Sequence, residues 1–310
     1  MTSLMPVQNE PTDFPPCACC GAEEWRTVFE GDIRAGSPGS WVAAKIGRCG
    51  TCGVDRLQES RALNHDAYQS EDYRSFLDQD HDVHKHYQAH DELAKFALDA
   101  LWPTSLRGKV VADVGCGGGA LLDHMSGLAG EIVAIEPALP WSHSLKERGY
   151  SWYPDAASAA GDWGGRIDVL FSTQVIEHVE EPRAFLEEIG ALLAPGGIAI
   201  ISTPNRDDIL MGLLPDSFPQ FFYRVQHRWA FDGRSLQNCA ERAGLAGEIV
   251  YTHRYGLANA MHWLRDGVPR GRQPLPPLDV TIDRHWQAWL EQTGRSDNLC
   301  LICRRPGAAS

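Results

Sequence analysis

A run of glycines joining a short apolar strand to a helix constrains this chain more than any other feature. Lys109–Ala112 is strand-like, and Asp113, Gly115, Gly117, Gly118 and Gly119 follow before the helical pattern of Ala120–Met125. Glycines at such a junction let the backbone turn tightly and let a ligand come close to it. The pattern then repeats. Strand-like runs fall at Val110–Val114, Ile132–Glu136, Ile167–Ser172, Ile198–Ser202 and Glu248–Thr252, with helical runs such as Pro182–Leu193 and Arg234–Ala243 between them. Alternation from Lys109 to about Arg254 predicts an α/β fold, a parallel sheet with helices on both faces.

The charge around the glycines bears on the ligand. The spacing Gly115, Gly117, Ala120 also satisfies the dinucleotide pattern, so a nicotinamide dehydrogenase is one reading. Asp113, however, sits two residues before the first glycine. A carboxylate there repels a pyrophosphate and attracts an ammonium or a sulfonium. Glu136 closes the second strand, nineteen residues after Gly117, where an acid accepts hydrogen bonds from ribose hydroxyls. Further on come Thr173, Gln174, Glu177 and His178, then Leu193, Pro195, Gly196 and Gly197 leading into a strand that ends at Thr203, Pro204 and Asn205.

In this order the motifs resemble the class I S-adenosylmethionine-dependent methyltransferases. The resemblance covers about residues 105–255 and implies a Rossmann-like sheet and S-adenosylmethionine as cofactor. It implies that Asp113, Gly115, Cys116 and Gly117 line the methionine end. Glu136 holds the ribose, Asp155 contacts adenine, and Thr173 and Gln174 lie beside the sulfonium. A structural cap on the next segment is the alternative role for Glu177 and His178.

The paired cysteines define a second unit. Cys17 and Cys20, then Cys49 and Cys52, form two C-x-x-C knuckles about 29 residues apart, each followed by glycine (Gly21, Gly53). Four such thiols match a zinc ribbon, with zinc structural and supplying the folding energy of a segment too small for its own core. Cys19 falls out of the knuckle register. Cys300 and Cys303 read as apolar residues of a buried strand. The expected organisation is a disordered tail (1–16), a ribbon (17–60), a helical linker or lid (61–105) and a methyltransferase domain (106–310). A substrate-covering insertion occupies about 205–233 of that domain. In the linker, Tyr68 and Tyr73 are lid candidates, and His81, His84, His86 and His90 read mainly as a solvated helix face. The ribbon also resembles, more loosely, the N-terminal zinc modules of bacterial sugar methyltransferases.

Methyl transfer to a hydroxyl or a carbon needs a base, and histidine titrates in the useful range. His178 and His227 are the candidates, with Tyr223 behind them and His253 and His262 lower still. The segment Phe218–Phe231 is rich in aromatics, suiting an apolar or ring-containing acceptor. A small-molecule methyl acceptor is the expected partner, O-methylation being favoured over C- or N-methylation, in natural-product or sugar biosynthesis. The net charge of −13 argues against a nucleic-acid or anionic-membrane partner. An RNA methyltransferase is one alternative, for which Lys45, Arg48, Arg56 and Arg61 give only a thin basic surface. A non-catalytic, methyltransferase-like binding module is another. The N-terminal sixteen residues lack the basic and apolar segments of a secretory signal, so the expected location is cytoplasmic.

Overall fold

The computed structural model describes residues 13–36, 39–63, 87, 90 and 105–305. His81, His84, His86, Tyr68 and Tyr73 lie outside the described residues, as does most of the 61–105 segment.

Strands β1 (Trp25–Arg34), β2 (Trp41–Cys49) and β3 (Asp55–Leu57) make an antiparallel sheet around the two cysteine knuckles. Strands β4 (Val110–Val114), β5 (Glu131–Ile135), β6 (Ser151–Tyr153), β7 (Ile167–Thr173) and β8 (Leu193–Pro204) are parallel neighbours in the order β8-β7-β4-β5-β6. The short strand β9 (Trp229–Ala230) pairs with β3, so the insertion completes the cysteine-bearing sheet. Strand β10 (Ala246–Thr252) forms one edge of the large sheet, and β11 (Asn298–Arg304) lies antiparallel between β8 and β10.

The apolar alternation explains why this sheet is covered on both sides. Ala112, Val133, Leu170, Ile201 and Leu301 face one core, while Val111, Ala134, Phe171, Ile200 and Cys300 face the other. Burial on both faces is what parallel strands require. Helix α1 (Ala120–Met125) and helix α2 (Ser142–Glu147) cover the second face through Leu122, Met125 and Leu145. Helices α3 (Ala156–Trp163) and α4 (Pro182–Leu192) cover the first through Trp163, Leu186 and Ile189.

The short helices α5 (Ile209–Leu213) and α6 (Phe218–Phe222) lie in the insertion, and α7 (Gly233–Arg242) joins α3 and α4 on the first face through Leu236 and Ala240. A third core joins Ile33, Ile46 and Leu57 of the ribbon to Phe218, Phe222 and Trp263, so the ribbon packs on the insertion.

The sheet departs from the all-parallel expectation at β11. After β10 ends at Thr252 the chain makes α8 (Leu257–Asp266) and α9 (Val280–Thr293), then re-enters the sheet opposite Thr252 and Pro204. An excursion that leaves and returns at one sheet edge must bring its next strand back antiparallel. It also leaves α8 and α9 over the carboxyl edge, where ligands of such sheets bind. Cys300 and Cys303 stand on opposite faces of β11 and cannot serve one ion.

Candidate functional site

The turn after β4 builds the first half of the site. Gly115, Gly117 and Gly119 all hold left-handed φ angles. A Cβ at Gly115 would run into Val175 Cγ2, so the turn after β4 and the turn after β7 touch there. Glu136 Oε2 accepts from the Gly117 amide at 2.8 Å and Oε1 from the Ala138 amide at 2.9 Å, which fixes the carboxylate against the loop. Asp113 is 4% exposed. Burial and the neighbouring Glu136 push its acid well above the usual carboxylate range. The same surroundings push the Cys116 thiol up. Two adjacent, poorly solvated acids form a cradle that gains energy from a cation.

The other expected cofactor contacts are placed as follows. Thr173 ends β7, and Gln174 follows with a left-handed φ of 58°, its Nε2 donating to Asn298 Oδ1 at 2.9 Å. Asp155 is exposed and caps α3, accepting from the Ser158 amide at 2.7 Å. A residue the motifs did not single out, Tyr87, sits against the glycine loop. Its hydroxyl accepts from Arg148 and lies 3.4 Å from the Gly118 carbonyl, while Arg148 also donates to Asp123 at 2.6 Å.

Beyond Gln174 opens a cavity of about 510 Å³. Its walls come from the turn after β7, the insertion, α8 and α9, and from Arg34 of the ribbon. Phe218, Phe221 and Trp263 make an aromatic wall, with Trp263 edge-on to both phenylalanines at 5.2 and 4.7 Å between centroids.

On the β7 side stand Glu177, His178 and His227, each with a ligand atom within 4.8 Å of the others. His178 Nδ1 lies 2.6 Å from the Gln226 carbonyl, an acceptor only, so Nδ1 carries the hydrogen and Nε2 keeps its lone pair. Burial lowers His178 to about 4. Burial and the nearby Arg224 lower His227 as well. Both imidazoles are therefore neutral at ordinary pH. Glu177 is fully buried. Its Oε2 accepts from Thr203 Oγ1 at 3.0 Å, its Oε1 has no hydrogen-bond partner among the described residues, and burial raises its acid to about 7. Two neutral imidazoles beside a carboxylate can take a proton or hold a divalent cation.

Tyr223 does not line this cavity. Its buried hydroxyl donates to Asp55 at 2.9 Å, beside Arg48 and Arg206 on the same carboxylate. Burial and that carboxylate raise the phenol well above its ordinary value, so it serves the joint between ribbon and insertion. His253 does line it, its Nδ1 lying 3.0 Å from the Asp297 amide and 3.2 Å from the Asp297 carboxylate.

The four knuckle thiols also converge. Cys17 and Cys52 sulfurs are 3.7 Å apart, Cys20 and Cys49 sulfurs 3.5 Å, and all four lie within 4.8 Å of one another. A tetrahedral zinc with sulfurs at about 2.3 Å places its ligands about 3.8 Å apart. Gly21 and Gly53 both hold a φ of 79°, the conformation that turns each knuckle inward. Cys19 is buried outside this set.

The sequence arrives at the same place by comparison. Residues 81–248 match a methyltransferase domain family. A ubiquinone biosynthesis O-methyltransferase of a Caulobacter species is 32% identical over 177 residues, covering 54% of this chain and 69% of that protein. The enzyme of the same name from Cereibacter sphaeroides is 34% identical over 120 residues, 37% of this chain. The chain spans about half the length of that relative, 49%. Among solved structures, an S-adenosylmethionine-dependent methyltransferase from Archaeoglobus fulgidus aligns over 71% of this chain and 96% of its own at 15% identity, with a TM-score of 0.49.

Proposed function

This chain belongs to the class I S-adenosylmethionine-dependent methyltransferases, and we propose that it methylates a hydroxyl of a small, ring-containing acceptor in a biosynthetic pathway. The observation that carries this reading is the pairing of His178 and His227 beside Glu177 in an aromatic cavity that begins at Gln174. The relatives named as O-methyltransferases support oxygen as the accepting atom.

When bound, the cofactor supplies an activated methyl group on a sulfonium. Asp113 and Glu136 hold its cationic end and its ribose, and Gln174 stands where the cradle meets the cavity. The Phe218, Phe221 and Trp263 wall orients the acceptor ring and excludes water; alignment of this kind supplies about 7–11 kcal/mol. Nε2 of His178 takes the hydroxyl proton as the oxygen attacks. Being lowered to about 4, His178 stays a competent base down to that pH, whereas a base of Glu177 would fail below about 7. The four cysteines hold a structural zinc in this reading.

Incubation of the full chain with S-adenosylmethionine and a panel of ring hydroxyls, read by mass spectrometry, should show the gain of one methyl. His178→Ala or His227→Ala should lower kcat by about 10²–10⁴. Full turnover in both variants rules out a histidine base. A second reading follows from the unpartnered Glu177 Oε1: the same three side chains hold a divalent cation that binds the acceptor oxygens. Activity that chelation abolishes and added magnesium restores favours that reading over the proton-transfer one.

A further inference from the structure

The strongest unused feature of the molecule is a pair of arginines in an acidic protein. Arg34, the last residue of β1, and Arg224 of the insertion both line the cavity. Their backbones bridge in parallel, and Val225 donates to the Arg34 carbonyl at 3.0 Å, so the two side chains are held as neighbours. Arg34 is anchored: its Nε donates to the Phe221 carbonyl at 2.6 Å and its guanidinium lies 3.8 Å over the Phe221 ring. One of its terminal nitrogens is buried with no hydrogen-bond partner among the described residues.

Among the described residues, no carboxylate of the cavity is hydrogen-bonded to Arg34, while the charge of Arg224 acts on Glu177. Asp297 accepts from Arg254 at 2.8 Å, Asp208 from the Leu210 amide at 2.8 Å, and Glu177 from Thr203. Burial and Arg224 weaken the hold of Arg34 on its own proton. A half-buried cation beside a second cation, with a donor left over, is costly until an oxyanion meets it.

We propose that the acceptor carries an anionic oxygen group, a carboxylate or a phosphate, that Arg34 binds with Arg224 alongside while its ring lies on the Phe221 and Trp263 wall. The cysteine-bearing module thereby contributes a specificity residue to the acceptor site. This rests on the reading of the cavity as the acceptor site. It adds the class of molecule: a ring-containing hydroxy acid or phosphate ester, not a neutral phenol.

The test is calorimetric titration of the full chain, with and without S-adenosylhomocysteine. The probes are 3,4-dihydroxybenzoate, its neutral methyl ester, catechol and phenyl phosphate. The acid or the phosphate should bind at least about tenfold more tightly than the neutral probes, about 1.4 kcal/mol. The stronger of the two anions identifies the group. Arg34→Met should erase the preference and leave S-adenosylhomocysteine affinity unchanged; Arg34→Lys should keep part of it. Equal binding of charged and neutral probes, or no binding of either anion, overturns the proposal, as does an Arg34→Met protein that still discriminates. A chain that prefers anions but fails to bind S-adenosylhomocysteine would instead overturn the methyltransferase reading alone.

Discussion

Asp113 and Glu136 show what single residues contribute to the cradle. Both are buried, and Glu136 is held by two backbone amides. An acid whose folded value is raised binds a proton more tightly folded than unfolded, so folding is penalised once the pH rises above its unfolded value. Asp113→Asn should therefore raise the melting temperature of the cofactor-free protein at pH 7. It should also weaken S-adenosylhomocysteine binding by about 10- to 100-fold, the order of one charged hydrogen bond. A thermal melt beside a titration checks both; unchanged affinity contradicts the electrostatic role. Asp113, Glu136 and His178 could be singled out in the sequence because each sits at or shortly after a strand end, and His227 because it lies in an aromatic-rich insertion. Arg34 carried no such signal, because nothing local marks an arginine at a strand end as facing a site 190 residues further on (Arg224).

At the scale of elements, the two turns at the carboxyl edge act as one part. Gly115 has a φ of 78° and its missing Cβ is what lets Val175 sit against it. Gly115→Ala should cost about 1–3 kcal/mol by denaturant unfolding, combining the left-handed backbone penalty with the overpacking. It should also weaken cofactor binding, since Val175 adjoins Gln174. Val175→Ala in the same chain should recover the packing share and leave the backbone share. Full stability in the single variant would show that the turns do not meet. The strand periodicity legible in the sequence covers β4, β5, β7, β8 and β10. Helices α8 and α9 were not read from it, because their exposed turns and the Pro- and Gly-rich stretch between them blur the apolar repeat.

Across the whole molecule, the ribbon is joined to the insertion through the β3 and β9 pairing and the buried Asp55 carboxylate, which collects Arg48, Arg206 and Tyr223. Cys20→Ser should release the metal, expose the ribbon to proteolysis and remove Arg34 from the acceptor cavity. S-adenosylhomocysteine affinity should stay within about threefold, because the cradle lies on β4, β5 and β7. Zinc retained at full stoichiometry, read by elemental analysis, would refute the assignment of the four cysteines. The sequence by itself determined the alternating α/β core, the glycine cradle with its acids and the cysteine knuckles, since each depends on neighbours a few residues apart. Only the tertiary structure decided that the final strand runs antiparallel. It alone seats two helices above the sheet edge and brings a ribbon arginine beside an insertion arginine. Those outcomes arise from packing between distant segments, where burial and charge select partners that local spacing does not record.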